Sequence, residues 1–69
     1  MLKVRVEALK SVMAERGWGE RQLAEALGVD HSHVNRVLHQ KRQPGPKFIA
    51  GVIRLGLRFE DIFCDDGSR

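Results

Sequence analysis

The fold is decided by residues 20–37, which read ERQLAEALGVDHSHVNRV. Counted from the first of these residues, Ala24 stands fifth, Gly28 ninth and Val34 fifteenth. A small residue allows two helices to approach closely, a glycine permits a sharp turn, and a branched apolar residue wedges the second helix onto the first. The spacing therefore predicts two helices that meet at a steep angle, joined by the short turn Gly28-Val29-Asp30.

Both predicted helices of this pair carry residues that favour helix ends. Gly19 is the predicted N-cap of the first helix, and Gln22 can reach back to the cap amide. Gly28 suits the left-handed conformation that ends a helix, and Asp30 is the predicted N-cap of the second helix. In the second helix the inward residues are Val34, Val37 and Leu38, and the outward residues are His31, Ser32, Asn35 and Arg36.

Further helices are predicted on both sides of this pair. A first helix, ended by Gly17, is indicated by the helical spacing of Leu2, Val6, Leu9 and Met13. After a polar loop over residues 39–45, Pro46 suits the first position of a fourth helix, which ends at Gly56. The apolar face of that helix consists of Phe48, Ile49, Val52 and Ile53. A last short helix is predicted from Phe59 to Phe63.

These patterns together predict an all-α fold, a compact bundle of about five short helices in which helices two and three form a helix-turn-helix. We find no alternation typical of a β-strand. Residues 1–64 form the predicted domain, and residues 65–69 are predicted to be a disordered tail. The core of so small a domain is marginal, and we expect helix packing or dimerisation to supply further stability.

The charges are distributed unevenly along the chain. The net charge is +3, and the isoelectric point is about 9.6. Residues 31–59 contain no acid but carry six lysines and arginines and three histidines. This stretch is predicted to project positive potential toward a polyanion. On charge alone, an ordinary solvated basic face explains the same distribution equally well.

Several classes of protein are disfavoured by the composition. The single cysteine, Cys64, cannot form an intramolecular disulfide, and no apolar run suits a signal peptide or membrane span. We therefore expect a cytoplasmic protein without a membrane association. His31 and His33 would point to nearly opposite sides of a helix, so no metal site is expected. The sequence has no catalytic constellation, and we expect neither an enzyme nor a cofactor nor a small-molecule ligand.

The sequence resembles the lambda-repressor-like, Cro-type helix-turn-helix family of bacterial and phage regulators. The residues that carry the resemblance are 22–29 (QLAEALGV), Ser32, Val34, 36–37 (RV), 41–44 (KRQP), 55–57 (LGL) and 59–63 (FEDIF). Members of the family are five-helix domains, mostly repressors that bind palindromic operators as dimers. The resemblance thus implies a cytoplasmic, bacterial or phage-encoded transcriptional regulator that binds double-stranded DNA as a homodimer.

The resemblance also implies a DNA-binding surface. The second helix of the motif enters the major groove in this family, which places His31, Ser32 and Arg36 against the bases. The outward stripe adds Asn35, which could bind adenine, whereas Arg36 could bind guanine through two hydrogen bonds. The predicted phosphate contacts are Arg21, Gln22, His39, Lys41 and Arg42.

The sequence departs from the family at three positions. Glu20 stands where the family commonly has a phosphate-binding glutamine, and it would be repelled by phosphate unless it turns away or pairs with Arg21. Leu38 and Gln40 replace a common glutamate and glycine. These changes concern the contacts to the DNA backbone and leave the fold prediction unaltered.

Two questions remain open: whether the last helix packs in the core or forms a dimer contact, and whether the domain binds DNA or a protein partner. Phe59, Ile62 and Phe63 are candidates both for the core and for a dimer contact. A protein-interaction module, such as an antitoxin or adaptor, could use the same fold to bind a protein partner.

Overall fold

The computed structural model of the protein describes residues 2–65, in which five helices are framed by two short strands. The elements in chain order are β1 (Leu2–Val4), α1 (Val6–Arg16), α2 (Glu20–Leu27), α3 (His31–Leu38), α4 (Pro46–Arg54), α5 (Phe59–Ile62) and β2 (Phe63–Asp65). The predicted bundle of five short helices is thereby confirmed. Within residues 2–65, no helix is long and apolar enough to cross a membrane.

The helices end where the glycines predicted. Gly17, Gly28 and Gly56 have φ values of 69°, 75° and 86°, in the left-handed region that favours glycine. The amide that follows each glycine folds back onto the helix. The amide of Val29, for example, donates to the Ala24 carbonyl oxygen at 3.0 Å. These paired bonds satisfy carbonyl groups that a helix end would otherwise leave free.

The predicted helix starts are confirmed in part. The amide of Gly19 donates to Gln22 Oε1 at 2.9 Å, as the capping pattern predicted. Pro46 occupies the first turn of α4. Asp30 stands at the N-cap of α3, but its side chain makes no capping hydrogen bond. The predicted capping role of the Asp30 side chain was therefore wrong, although the helix begins where expected.

The core lies between the helices and against the inner face of the strands. The most deeply buried large side chains are Leu9, Leu23, Leu27, Val34, Val37, Phe48, Val52, Ile62 and Phe63. α2 and α4 cross closely at Gly51, which is buried. A Cβ atom at this position would stand 2.7 Å from the Leu27 carbonyl oxygen. Only the lack of a side chain at Gly51 permits this separation between the two helices.

The two strands were not predicted. β1 pairs antiparallel with β2 in the register Leu2↔Asp65, Lys3↔Cys64 and Val4↔Phe63. The predicted first helix was therefore wrong at its start, because Leu2 lies in a strand. The predicted tail was wrong at Asp65, which lies in β2, and residues 66–69 lie outside the described residues. Each strand has three residues, too few to show an alternating pattern.

Candidate nucleic-acid interface

α3 presents one polar face and one buried face. His31, Ser32, Asn35 and Arg36 are exposed, which is where the sequence placed the residues predicted to read bases. Val34, Val37 and Leu38 are buried against the rest of the domain. Residues at positions i, i+1, i+4 and i+5 share one side of a helix. The four exposed side chains therefore form a continuous stripe, which we call the α3 stripe.

The packing of α3 on α2 explains why this stripe faces outward. Ala24 of α2 is 3% exposed and Val34 of α3 is fully buried, so a small and a branched side chain lie in the core of the helix pair. The chain turns between the helices at Gly28, which adopts the left-handed conformation. With so short a turn, burial of Val34 leaves the opposite side of α3 in solvent.

The C-terminal end of α3 directs the basic loop that follows. The amide of Gln40 donates to the Val37 carbonyl oxygen at 3.0 Å, and the amide of Lys41 donates to the Arg36 carbonyl oxygen at 2.8 Å. Gln40 has a φ of 58°, a left-handed value in a residue other than glycine. This is the same paired-bond ending that glycines provide for other helices. It ends α3, so that the exposed residues Lys41 and Arg42 begin the loop that follows.

All five residues predicted to contact phosphate are on the surface. His39, Lys41 and Arg42 are exposed in the loop after α3, and Arg21 is exposed on α2. Gln22 is also exposed, but its side-chain oxygen already accepts the Gly19 amide. The amide nitrogen, which is the part of the side chain that can donate to a phosphate, is not used by this contact, so Gln22 stays a candidate beside Arg21.

β1 lies beside the basic loop, an arrangement that the sequence did not predict. A surface depression is lined by Leu2 and Val4 of β1 together with Lys41, Arg42 and Gln43 of the loop. Since β1 is tied to β2 through its ladder, the loop lies beside a fixed element. Two of the predicted phosphate contacts, Lys41 and Arg42, thus lie beside the strand pair.

Glu20 contacts the α3 stripe. Its Oε1 atom lies 3.2 Å from Asn35 Nδ2 and 3.3 Å from His31 Nε2. Pairing with Arg21 was one way for Glu20 to avoid repelling phosphate, and the structure shows Glu20 paired with α3 instead. Periodicity along the chain does not predict this contact, because it joins the first turn of α2 to α3 in space. The departure from the family's glutamine was the one feature that pointed to Glu20.

His33 lies apart from the stripe, on the side of α3 that faces α4. Its ring centroid is 5.8 Å from that of Phe48, and the two residues line a depression with Arg42 and Lys47. Burial lowers the pKa of His33 below its usual 6.5, and the positive charges of Arg42 and Arg36 lower it further against the opposing effect of Asp30. His33 is therefore inclined to be neutral, whereas His31 lies beside a carboxylate.

No group of three or more histidine, cysteine, aspartate or glutamate side chains is placed to hold a metal ion within residues 2–65. His31 lies against Glu20 and His33 lies against Phe48. The two histidines thus point to different parts of the domain.

Of the three residues predicted as dimer contacts, two are buried in the core and one is exposed at the surface. Ile62 and Phe63 are each 2% exposed, so they belong to the core and offer no surface to a partner in this conformation. Phe59 is 42% exposed, and its ring packs on that of Phe63 at 4.8 Å between centroids. Ile53, which the sequence assigned to the buried face of α4, is 55% exposed. Ile53 and Phe59 are the large apolar residues left at the surface of the described chain.

Comparison with protein-family models, with curated proteins and with solved structures finds no match for this chain. Function is therefore inferred from the α3 stripe, the basic loop and the chemistry of their side chains.

Proposed function

We propose that the protein binds double-stranded DNA with sequence preference, with α3 in the major groove. The observation that carries this proposal is the exposed α3 stripe, which is followed a few residues later in the chain by the exposed cations Lys41 and Arg42. A major groove admits one α-helix, and its phosphate walls attract lysine and arginine on either side of that helix. Arg21 on α2 and the loop after α3 provide such cations at two places around the stripe.

Arg36 is the residue we expect to contribute most to base recognition. Its side chain is exposed in the second half of α3, and within residues 2–65 it forms no ion pair with a carboxylate. A guanidinium group can donate two hydrogen bonds to O6 and N7 of guanine. Ser32 and His31 lie nearer the start of α3, and both can donate to or accept from a base edge.

We further propose that the protein acts as a dimeric repressor, as the resemblance to Cro-type regulators implies. The exposed side chain of Phe59 supports a contact between two copies, since α5 carries it beside the core. In this proposal the protein is a binding protein without catalytic activity. Its sequence preference would be expressed at a palindromic site, because two copies related by a twofold axis read the same half-site twice.

A protein-interaction module is the second candidate, favoured by the exposure of Ile53 and Phe59. Exposed apolar side chains mark contacts with a protein partner where they form a contiguous patch. The same residues would serve a dimer, so the two candidates differ in whether the α3 stripe is also used.

Selection of bound duplexes from a random library tests the proposed function. We expect enrichment of a palindromic consensus and an affinity for it that exceeds the affinity for random duplexes by at least about a thousandfold at fixed salt. Failure to enrich any sequence, together with equal affinities for all duplexes, would refute the proposal. A matched variant, Arg36→Ala, should enrich a less constrained consensus.

A further inference from the structure

One carboxylate oxygen holds two side chains of the α3 stripe. Glu20 Oε1 lies within hydrogen-bond distance of Asn35 Nδ2 and close to His31 Nε2. Glu20 is the first residue of α2, so it reaches α3 from the neighbouring helix. Glu20 is partly exposed, as is His31. The contact therefore lies at the surface that we propose to face DNA.

The chemistry of a carboxylate fixes the orientation of the Asn35 amide. An ionised carboxylate only accepts hydrogen bonds, so the amide nitrogen of Asn35 faces Glu20 and the carbonyl Oδ1 is turned away. One N–H of that amide and Oδ1 stay available. Together they match N7 and the N6 amino group of adenine. The same argument turns a proton on His31 Nε2 toward Glu20 and leaves Nδ1 for other contacts.

We propose that Glu20 is a specificity-determining residue of the DNA-binding surface, which acts by positioning Asn35 and His31. The inference rests on the proposed function. Without Glu20 the Asn35 amide can rotate by half a turn, and the reversed amide no longer matches adenine. The carboxylate also repels phosphate. Glu20 thus weakens binding to all DNA and restricts the range of DNA sequences that the protein binds tightly.

Two substitutions separate these effects. Glu20→Gln removes the charge but keeps an oxygen that can accept from Asn35, whereas Glu20→Ala removes both the charge and the acceptor. Glu25→Gln is the matched control, because Glu25 is an exposed glutamate on the same helix. All variants and the wild type are compared by selection from a random library and by affinity for the selected and random duplexes at one salt concentration.

Both Glu20 variants should bind random duplexes about twofold to threefold more tightly than the wild type, because each has lost a charge that repels phosphate. The wild type and Glu20→Gln should both select adenine at the position read by Asn35. Glu20→Ala should lose that preference by about tenfold. Glu25→Gln should keep the wild-type consensus. The Asn35 side-chain amide resonances of the free protein should shift most in Glu20→Ala.

A loss of folding cannot imitate this result, since a destabilised variant would not bind random DNA more tightly. The inference is overturned if Glu20→Ala selects the wild-type consensus with undiminished preference for adenine. If the wild type itself selects no consensus, the proposed function fails and the inference fails with it. The two failures are therefore told apart by the wild-type selection alone.

Discussion

Gly51 of α4 lies so close to Leu27 of α2 that a Cβ atom at position 51 would stand 2.7 Å from the Leu27 carbonyl oxygen and 2.8 Å from its Cα atom. Both atoms belong to the backbone, so they cannot yield as the end of a flexible side chain could. Gly51→Ala must therefore move α4 away from α2, at a cost of about 1–3 kcal/mol in unfolding free energy. This cost exceeds the gain of about 1 kcal/mol that alanine offers within a helix.

Thermal unfolding followed by circular dichroism measures this effect, with Gly45→Ala as the control. A Cβ atom at Gly45 would come no closer than 3.8 Å to the His33 ring, so no clash arises there, and the remaining cost is that of alanine at the N-cap of α4. Equal melting temperatures for Gly51→Ala and the wild type would mean that the two helices are not in contact at Gly51.

Gln40→Gly should stabilise the protein. Gln40 has a φ of 58°, and a residue with a Cβ atom holds this conformation at a cost of about 1–2 kcal/mol. Glycine removes the cost but loses part of the gain because its unfolded chain is more flexible. The expected net gain in unfolding free energy is up to about 1 kcal/mol. Gln40→Ala should change little, since it keeps the Cβ atom. An equal gain from alanine would assign the effect to the glutamine side chain instead of the backbone.

Lys41→Ala and Arg42→Ala should each weaken binding to all duplexes by a similar factor. Each removes one predicted phosphate contact, so the slope of log affinity against log salt concentration should become shallower by about 0.9. Titrations at several salt concentrations measure the slope. Lys10→Ala, which removes an exposed lysine of α1, is the control for the loss of one positive charge. Wild-type slopes in both loop variants would show that the loop lies away from the DNA.

Arg36→Ala should reduce specificity as well as affinity. If Arg36 reads a guanine, its loss should weaken binding to the preferred site by about 1–3 kcal/mol and weaken binding to random duplexes less. Arg21→Ala, which removes a predicted phosphate contact, should weaken both by the same factor. Affinities for the selected and random duplexes at one salt concentration provide the comparison. Equal losses for Arg36→Ala would make Arg36 a phosphate contact.

His33 should make the stability of the protein depend on pH below neutrality. Because burial and the nearby arginines lower the pKa of His33 in the folded state, the unfolded chain binds the proton more readily. The contribution is fully present above the unfolded pKa of about 6.5 and is lost as the pH falls through that value toward the lowered folded pKa. Chemical denaturation of the wild type and of His33→Asn at several pH values isolates this contribution. If unfolding free energy falls with pH in the same way for both proteins, His33 does not contribute to this pH dependence.

Local patterns predicted the helices well because each pattern reports a local conformation. The glycines at positions 17, 28 and 56 ended helices since left-handed backbone favours glycine, and the periodicity of α3 separated its buried from its exposed residues. The same reasoning failed where the partner is distant along the chain. Nothing near Leu2 in sequence shows that it pairs with Asp65.

The sequence predicted which face of α3 is exposed, but it did not predict the contacts that its side chains make. The exposed residues of α3 followed from periodicity, but the bond from Asn35 to Glu20 depends on how two helices cross. The contact of Gly51 with Leu27 likewise could not be predicted from local sequence patterns. An isolated glycine within a helical pattern is a reason to look for close packing, yet the sequence does not identify Leu27 as the residue it meets.

The ladder between β1 and β2 joins parts of the protein that are far apart along the chain, from Leu2 to Asp65. A two-stranded ladder is only marginally stable alone, and closing so long a loop has a large entropic cost before any helix has formed. The hydrogen bonds within each helix instead join residues only a few positions apart, and such local contacts form fast. The strands should therefore pair late in folding, after the five helices have brought them together. Substitutions in the ladder should then speed unfolding and leave the folding rate nearly unchanged.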